Sequence, residues 1–339
     1  MDKESSQRNT DVLSRTEEAM FIEKMMNKVL LGNPISFQEA QKLLSTKHMV
    51  ILAKCANNIT RTFNGEIIDV ESLVNAKSGS CPEDCSFCAQ SGFYETGISK
   101  YSLLPTEKLV EQAKNAKDGG SSSFCLVCAY RSPPEKDFEY LCESISEIKT
   151  KVGIEVNVSL GFMTYERALK LKRIGVKRYN HNLETAKSYF SQICRTHDYE
   201  DRIKTAKIVK EAGLELCCGG IIGMGESHLQ RLELAFALSE LKPEEVPINI
   251  LIPRNGTPLD LNPNPITNED IIKTIAVWRF IIPKSILKIA GGREVYLKDN
   301  GKFILHAGAN GIISGGYLTT GGNKHNKDLE MIKQIGLKV

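Results

Sequence analysis

The chain has 339 residues, of which 41% are apolar and 25% charged, the ordinary balance of a soluble globular protein. A formal net charge of +3 is too small to argue for nucleic acid or an anionic membrane surface as partner, and no window approaches the ~18 consecutive apolar residues of a membrane span. Ten cysteines with no disulfide framework, and no signal peptide, indicate a reducing compartment (the cytoplasm) and metal chemistry.

Residues 1–15 (MDKESSQRNTDVLSR) are polar and read as a frayed end. Two helical patterns follow: TEEAMFIEKMMNKVLLG, ending at Gly32, and SFQEAQKLL, where Ser36 and Glu39 have the spacing of a capping box. From residue 66 the rhythm changes to short β-like runs separated by amphipathic stretches. The runs are VNAKSG (74–79), SSFCLVCAY (122–130), IEVNVSLG (154–161), VKRYNHNLE (176–184), LELCCGGIIG (214–223), INILIPR (248–254), ILKIAGG (286–292) and GIISGGY (311–317). The segments between them read as helices; PTEKLVEQAKNAKDGG, for example, takes Thr106 as its N-cap. Eight strand–helix units within ~250 residues fit a (β/α)8 barrel of the α/β class. The expected organisation is an N-terminal helical extension over residues 1–65 and a barrel over 66–339.

A barrel builds its active site at the C-terminal ends of its strands. The stretch SGSCPEDCSFCAQSG (78–92) follows the first predicted strand and carries Cys81, Cys85 and Cys88. Three chemistries compete for it. Structural zinc sites are closed by four ligands, usually from C-x2-C pairs, whereas the spacing here is C-x3-C then C-x2-C and the next cysteine is Cys125. A disulfide would leave one thiol over. An iron–sulfur cluster takes thiolates at such loop spacings, normally four of them; three would leave one iron open to a substrate or cofactor. Further along, Cys125 and Cys128 lie in the second strand, and Asn180, Asn182 and Glu184 share one parity of the fourth. Cys217 and Cys218 fall in the fifth, Asn249 in the sixth, and Arg293 just past the seventh.

CPEDCSFC, with the aromatic Phe87 before its last cysteine, resembles the cluster loop of radical S-adenosylmethionine (SAM) enzymes. Taken with FCLVCAY, YNHNLET, CGGIIGMGE, VPINILI, AGGRE and YLTT, the chain resembles the biotin synthase family from about residue 66 almost to its C-terminus. The resemblance implies a 4Fe-4S cluster on Cys81, Cys85 and Cys88, with SAM chelating the open iron and cleaved by one electron. It implies dethiobiotin as substrate, sulfur insertion from an auxiliary cluster, a one-electron donor such as flavodoxin or ferredoxin, and a homodimer. By motif, Glu184 stands where the family contacts the SAM ribose with an acidic residue, commonly Asp, and Arg202 in YEDR where it pairs with the SAM carboxylate. Phe87 and Gly225 would lie beside the cofactor, and Asn182, Asn249, Thr319 and Thr320 would hold dethiobiotin. The other reading is that Asn and Thr at strand ends satisfy turn backbone, and that GMGES (223–227) is a turn.

The resemblance breaks at one place. The family's second cluster, of the two-iron type, takes three cysteines and an arginine from strands two, three and five and the end of strand seven. Cys125, Cys217 and Arg293 match three of these, but the strand-three place is Asn157, and a neutral amide is a poor iron ligand beside a thiolate. Cys128 and Cys218 stand next to the remaining ligands. The expectation is an auxiliary cluster of the four-iron type on Cys125, Cys128 and Cys217, with Cys218 a further candidate ligand and Arg293 a catalytic neighbour. Cys128 differs in parity from Cys125, so it ligates only if the strand ends or bulges before it; otherwise Cys128 and Cys218 are small buried hydrophobes. Cys55, Cys142 and Cys194 match no motif and read as core, and His181, opposite in parity to the asparagines, reads as structural. Two other functions compete: a radical SAM enzyme with a different small substrate, and a non-catalytic iron–sulfur redox protein.

Overall fold

The computed structural model describes residues 17–260, 266–316, 318 and 325–339. Helix α1 (17–30) is followed by α2 (Phe37–Leu44) and α3 (Met49–Asn64). The capping box forms at the start of α2: Ser36 Oγ accepts from the Glu39 amide at 3.2 Å and Glu39 Oε2 accepts from the Ser36 amide at 2.7 Å.

The barrel begins with β1 (Asp69–Lys77), α4 (Thr106–Asp118), β2 (Ser123–Cys128), α5 (Glu135–Lys151), β3 (Glu155–Ser159) and α6 (Tyr165–Arg173). It continues through β4 (Arg178–Asn180), α7 (Lys187–Phe190), α8 (Tyr199–Glu211), β5 (Glu215–Cys217), β6 (Gly220–Ile222) and α9 (His228–Leu241). The last part is β7 (Glu245–Ile250), α10 (Asn268–Ile281), β8 (Ile286–Ile289), α11 (Arg293–Tyr296), α12 (Lys302–Leu305), β9 (Gly311–Ile313) and α13 (His325–Gln334).

All pairings in this nine-stranded sheet are parallel, and both β9 beside β1 and β5 beside β7 close it on itself. The short strands β5 and β6 are two pieces of one stave, so the nine strands make eight staves, the expected (β/α)8 barrel. The break falls at Gly219, where a Cβ would lie 1.9 Å from the Pro247 carbonyl oxygen, so only glycine lets the two backbones approach. Apolar side chains on the outer faces of the strands, such as Val156, Val158, Leu216 and Leu287, bury against the surrounding helices. A second, smaller core joins α1, α2 and α3 to α9 and α10 through Ile22, Leu43, Leu52, Leu232, Val277 and Phe280.

Two local expectations change. The N-cap of α4 is Pro105, whose ring favours its extended backbone (φ −57°, ψ 144°), and Thr106 is already helical. The Thr106 hydroxyl instead lies 2.7 Å from Ser144 Oγ, tying α4 to α5. The fourth strand stops at Asn180, well short of the predicted residue 184.

The lower barrel interior is charged. Lys288 of β8 is fully buried, and its Nζ pairs with Asp69 Oδ1 at 2.7 Å, Glu71 Oε2 at 2.8 Å and Glu245 Oε2 at 2.8 Å. Arg178 pairs with Glu245 as well, and with Glu215 at 2.9 Å. Burial alone would lower the Lys288 pKa, but the surrounding Glu245, Glu71 and Asp69 carboxylates outweigh it and hold the ammonium well above its usual value. Among the described residues, no helix is long and apolar enough to cross a membrane.

Candidate functional site

A cavity of about 350 Å³ opens at the C-terminal ends of the strands, and Cys81, Cys85 and Cys88 form part of its wall. Their loop has no regular secondary structure, so local bonds fix it. The Cys81 amide donates to the Gln90 carbonyl at 3.0 Å, the Gly92 amide to the Cys81 carbonyl at 2.7 Å, and the Cys88 amide to the Cys85 carbonyl at 3.0 Å. Ser91 Oγ adds a bond to the Glu83 carbonyl at 2.6 Å. All three thiols are free. Burial raises the pKa of Cys81 and pushes Cys88 up to about 11, while a hydrogen bond with Cys194, followed by burial, pushes Cys85 up. Such thiols ionise when a soft cation arrives to hold the charge. The donor set therefore fits an iron–sulfur cluster with one coordination position left to another ligand.

Arg202, near the start of α8, faces the same cavity and is tied down on three sides. Its Nε donates to His197 Nε2 at 3.0 Å, its Nη1 to the Asn182 carbonyl at 2.9 Å, and its Nη2 lies 3.9 Å from Cys85 Sγ. Glu184 Oε1 is 3.7 Å from Nη1. Burial raises the Glu184 pKa against the pull of Arg202. Glu184 adopts a left-handed backbone (φ 69°), uncommon for a residue with a side chain and typical of functional turns. Phe87, Asn182, Glu184 and Asn249 all line the cavity, as expected. The two asparagines also serve backbone, Asn182 Oδ1 accepting from the Gly219 amide at 3.0 Å and Asn249 Oδ1 from the Gly291 amide at 2.9 Å. Thr319 and Thr320 lie outside the described residues.

The lower wall carries Cys125, Cys128 and Cys217. Cys128, the last residue of β2, lines the cavity and also packs in the apolar core. The register slip between Asn75 and Lys77 puts its extra residue in β1, so β2 neither ends nor bulges before Cys128 as the parity argument requires. Below these thiols lies the buried charge network. Cys217 Sγ donates to Glu245 Oε1 at 3.2 Å, and Asn180 Nδ2 donates to Cys125 Sγ at 3.4 Å. Burial first, then the Glu71 and Glu245 carboxylates, push both Cys125 and Cys217 well up. Asn157 stands in register with Cys125 and donates to Glu71 Oε1 at 2.6 Å, so it belongs to this floor and is not among the residues lining the cavity.

Three expected site residues are not brought to the cavity. Cys218 turns outward from β5, as strand alternation demands next to an inward Cys217, and packs in the apolar shell. Arg293 follows the left-handed Gly292 (φ 87°) and turns away from the cavity, its Nη2 3.0 Å from both carboxylate oxygens of Asp328 and its Nη1 donating to the Asn300 carbonyl at 2.8 Å. The cation beneath the lower thiols is Lys288 instead. Gly225 (φ 105°) packs against Tyr189, whose hydroxyl would lie 2.8 Å from a Cβ there, and is a turn residue. The adjacent Glu226 accepts from the Gly223 and Met224 amides at 2.8 and 2.7 Å, holding that turn.

Other residues enter that the sequence reading sets aside. His181 lines the cavity because β4 has already ended, so strand parity no longer governs it. Its Nε2 and Asn180 Oδ1 are buried without a hydrogen-bond partner. Cys194, taken for core, lies 3.9 Å from Cys85 Sγ. His197 lines the cavity and links Arg202 to Glu83, which no motif signals.

Two family models match the chain: the Radical SAM superfamily over residues 77–238 and the Biotin and Thiamin Synthesis associated domain over residues 247–338. The biotin synthase of Nitrosopumilus maritimus is 54% identical over 320 residues, covering 94% of this chain and 98% of that protein. The biotin synthase of Cenarchaeum symbiosum is 51% identical, covering 94% and 100%, and that of Clostridium tetani 46%, covering 92% and 96%. In fold, a methylornithine synthase structure superposes with a TM-score of 0.81 at 20% identity, covering 93% of this chain and 96% of that one. The FeFe-hydrogenase maturase HydG of Carboxydothermus hydrogenoformans superposes with 0.80 at 18% identity, covering 98% and 82%.

Proposed function

The chain belongs to the biotin synthase family of the radical SAM superfamily, and from that premise we propose that it inserts sulfur into dethiobiotin to form biotin, using SAM and two iron–sulfur clusters. The observation that carries this reading is one cavity lined by two separate thiol sets with Arg202 and Glu184 beside the upper one. In this reading Cys81, Cys85 and Cys88 hold a 4Fe-4S cluster, which with SAM supplies the one-electron chemistry that no side-chain base provides at an unactivated C–H bond.

The protein's own groups then have distinct tasks. Arg202 presents its guanidinium to the SAM carboxylate, a fork-to-carboxylate pairing that orients as well as attracts. Glu184 accepts from the ribose hydroxyls. Asn182 and Asn249 face the polar groups of dethiobiotin, their Nδ2 groups exchanging the long bonds they now make to Glu184 Oε2 (3.4 Å) and the Gly220 carbonyl (3.5 Å). The lower thiols Cys125, Cys128 and Cys217 hold the auxiliary cluster, of the four-iron type. Asn157 keeps Glu71 in place rather than ligating iron.

The reading extends to a flavodoxin- or ferredoxin-like electron donor, a homodimer, a cytoplasmic location and a helical extension over residues 1–65 ahead of the barrel. The test is direct. Protein reconstituted anaerobically and given SAM, dethiobiotin and a one-electron reductant is expected to yield biotin and 5′-deoxyadenosine. SAM cleavage without biotin would mean a different substrate, and no SAM cleavage would end the radical reading.

A further inference from the structure

Glu83, between two cysteines of the cluster loop, is 6% exposed and ends a chain of bonds that leaves the loop altogether. Its Oε2 lies 2.5 Å from His197 Nδ1, and its Oε1 accepts from Arg131 Nη1 at 2.7 Å. Thr196 Oγ1 donates to Oε2 at 2.5 Å. On the far side of the imidazole, Arg202 Nε donates to His197 Nε2 at 3.0 Å. A guanidinium has no acceptor, so Nε2 must be the unprotonated nitrogen, and the ring proton sits on Nδ1 facing Glu83. The rings of Phe162 and Phe190 stand edge-on to His197, with centroids 5.1 and 5.6 Å away, and leave it little freedom to rotate. The His197 side chain is 1% exposed.

Arg202 therefore meets the cavity with its Nε edge already used. Its orientation is dictated by a histidine that is itself oriented by the cluster loop. We propose that His197 is a positioning residue for the SAM carboxylate: through it Glu83 of the cluster loop sets the angle of the Arg202 guanidinium, so that closing the loop around its cluster also prepares the SAM site. Whatever orders Glu83 strengthens SAM binding, and by reciprocity bound SAM steadies the loop. The inference rests on the reading that Arg202 holds the SAM carboxylate.

The experiment compares His197→Ala, His197→Gln and Arg202→Ala in the anaerobically reconstituted full chain, measuring iron content, SAM affinity by equilibrium dialysis, and kcat separately from KM. Glutamine can accept from Arg202 with Oε1 and donate to Glu83 with Nε2, so it carries both functions of the ring. His197→Ala is expected to weaken SAM binding about tenfold, the scale of one lost bond to a charged group, and to raise KM for SAM with kcat at saturation nearly unchanged. His197→Gln is expected to stay within about threefold of the parent, on the same scale. Wild-type SAM affinity in His197→Ala at full iron content, with Arg202→Ala weakened, overturns the relay and leaves the Arg202 reading standing. Unchanged affinity in Arg202→Ala overturns that reading itself. Should His197→Ala fail to retain iron, Glu83→Gln decides: weaker SAM binding at full iron content supports the relay, and unchanged binding overturns it.

Discussion

The upper and lower thiol sets share one cavity but are built by opposite means. The upper three sit on a loop within eight residues of one another, fixed by hydrogen bonds inside that loop and by those of Glu83, Asp84 and Ser86 to residues 193–197, with a cationic guanidinium at 3.9 Å from one sulfur. The lower three arrive on two different strands, wholly buried, above carboxylates held by Lys288 and Arg178. Local sequence builds the first; barrel closure builds the second. The upper set is thus sensitive first to its own residues and then to the 193–197 segment packed on it, and the lower set entirely to groups brought together by the barrel.

The largest expected effect lies in the loop. Cys85→Ala removes one of three thiolates and is expected to abolish SAM cleavage, read as 5′-deoxyadenosine formation, while the barrel's unfolding transition stays close to the parent's. Wild-type cleavage in that variant would remove the loop from the radical chemistry.

The next effect tests the floor. Lys288→Met strips the buried cation from Glu71 and Glu245, and breaking a buried pair in this way is expected to cost about 3–5 kcal/mol in denaturant unfolding. The pH dependence has a definite sign. Burial already holds Glu245 above the usual carboxylate range, so in the folded state it binds its proton more tightly than in the unfolded chain. Stability from such a group is present at low pH and lost as pH rises through the folded value. The destabilisation by Lys288→Met is therefore expected to grow from pH 5 towards pH 8, and a pH-independent loss would show that Arg178 and Asn157 suffice to hold the carboxylates without Lys288.

The smallest effect separates Cys217, the last residue of β5, from Cys218 just beyond it. Cys218→Ala is expected to cost about 1 kcal/mol through a small apolar cavity and to leave iron content unchanged. Loss of iron would return Cys218 to the ligand set.

What could be read in advance follows the same division. The eight staves, the three-cysteine loop and the inward Asn249 were legible because period and spacing are local properties, whereas Asn182 and Glu184 reach the cavity from beyond the end of β4, where strand parity no longer applies. Cys128 was legible only as a condition on β2, and the slip beside Lys77 falls in β1 instead, so its place in the ligand set rests on its position in the cavity wall. Arg293 was misread since its place after β8 says nothing of the left-handed turn at Gly292 that sends it to Asp328. Lys288 escaped notice because a lysine in ILKI suggests an exposed face, and its three carboxylate partners come from β1 and β7. His197 carries no motif, and its place depends on a loop folding back onto residues more than a hundred positions earlier; Cys194 is core, as read, and packs against Cys85 from the same loop.

The measurement that bears most directly on two thiol sets with two tasks is made on Cys128→Ala. Iron and sulfide are counted after anaerobic reconstitution, and 5′-deoxyadenosine and biotin are assayed together. The expected result is iron reduced by the auxiliary cluster's share, 5′-deoxyadenosine still formed from SAM, and no biotin. Full iron content with a normal yield of biotin would contradict it, leaving Cys128 a packed apolar side chain.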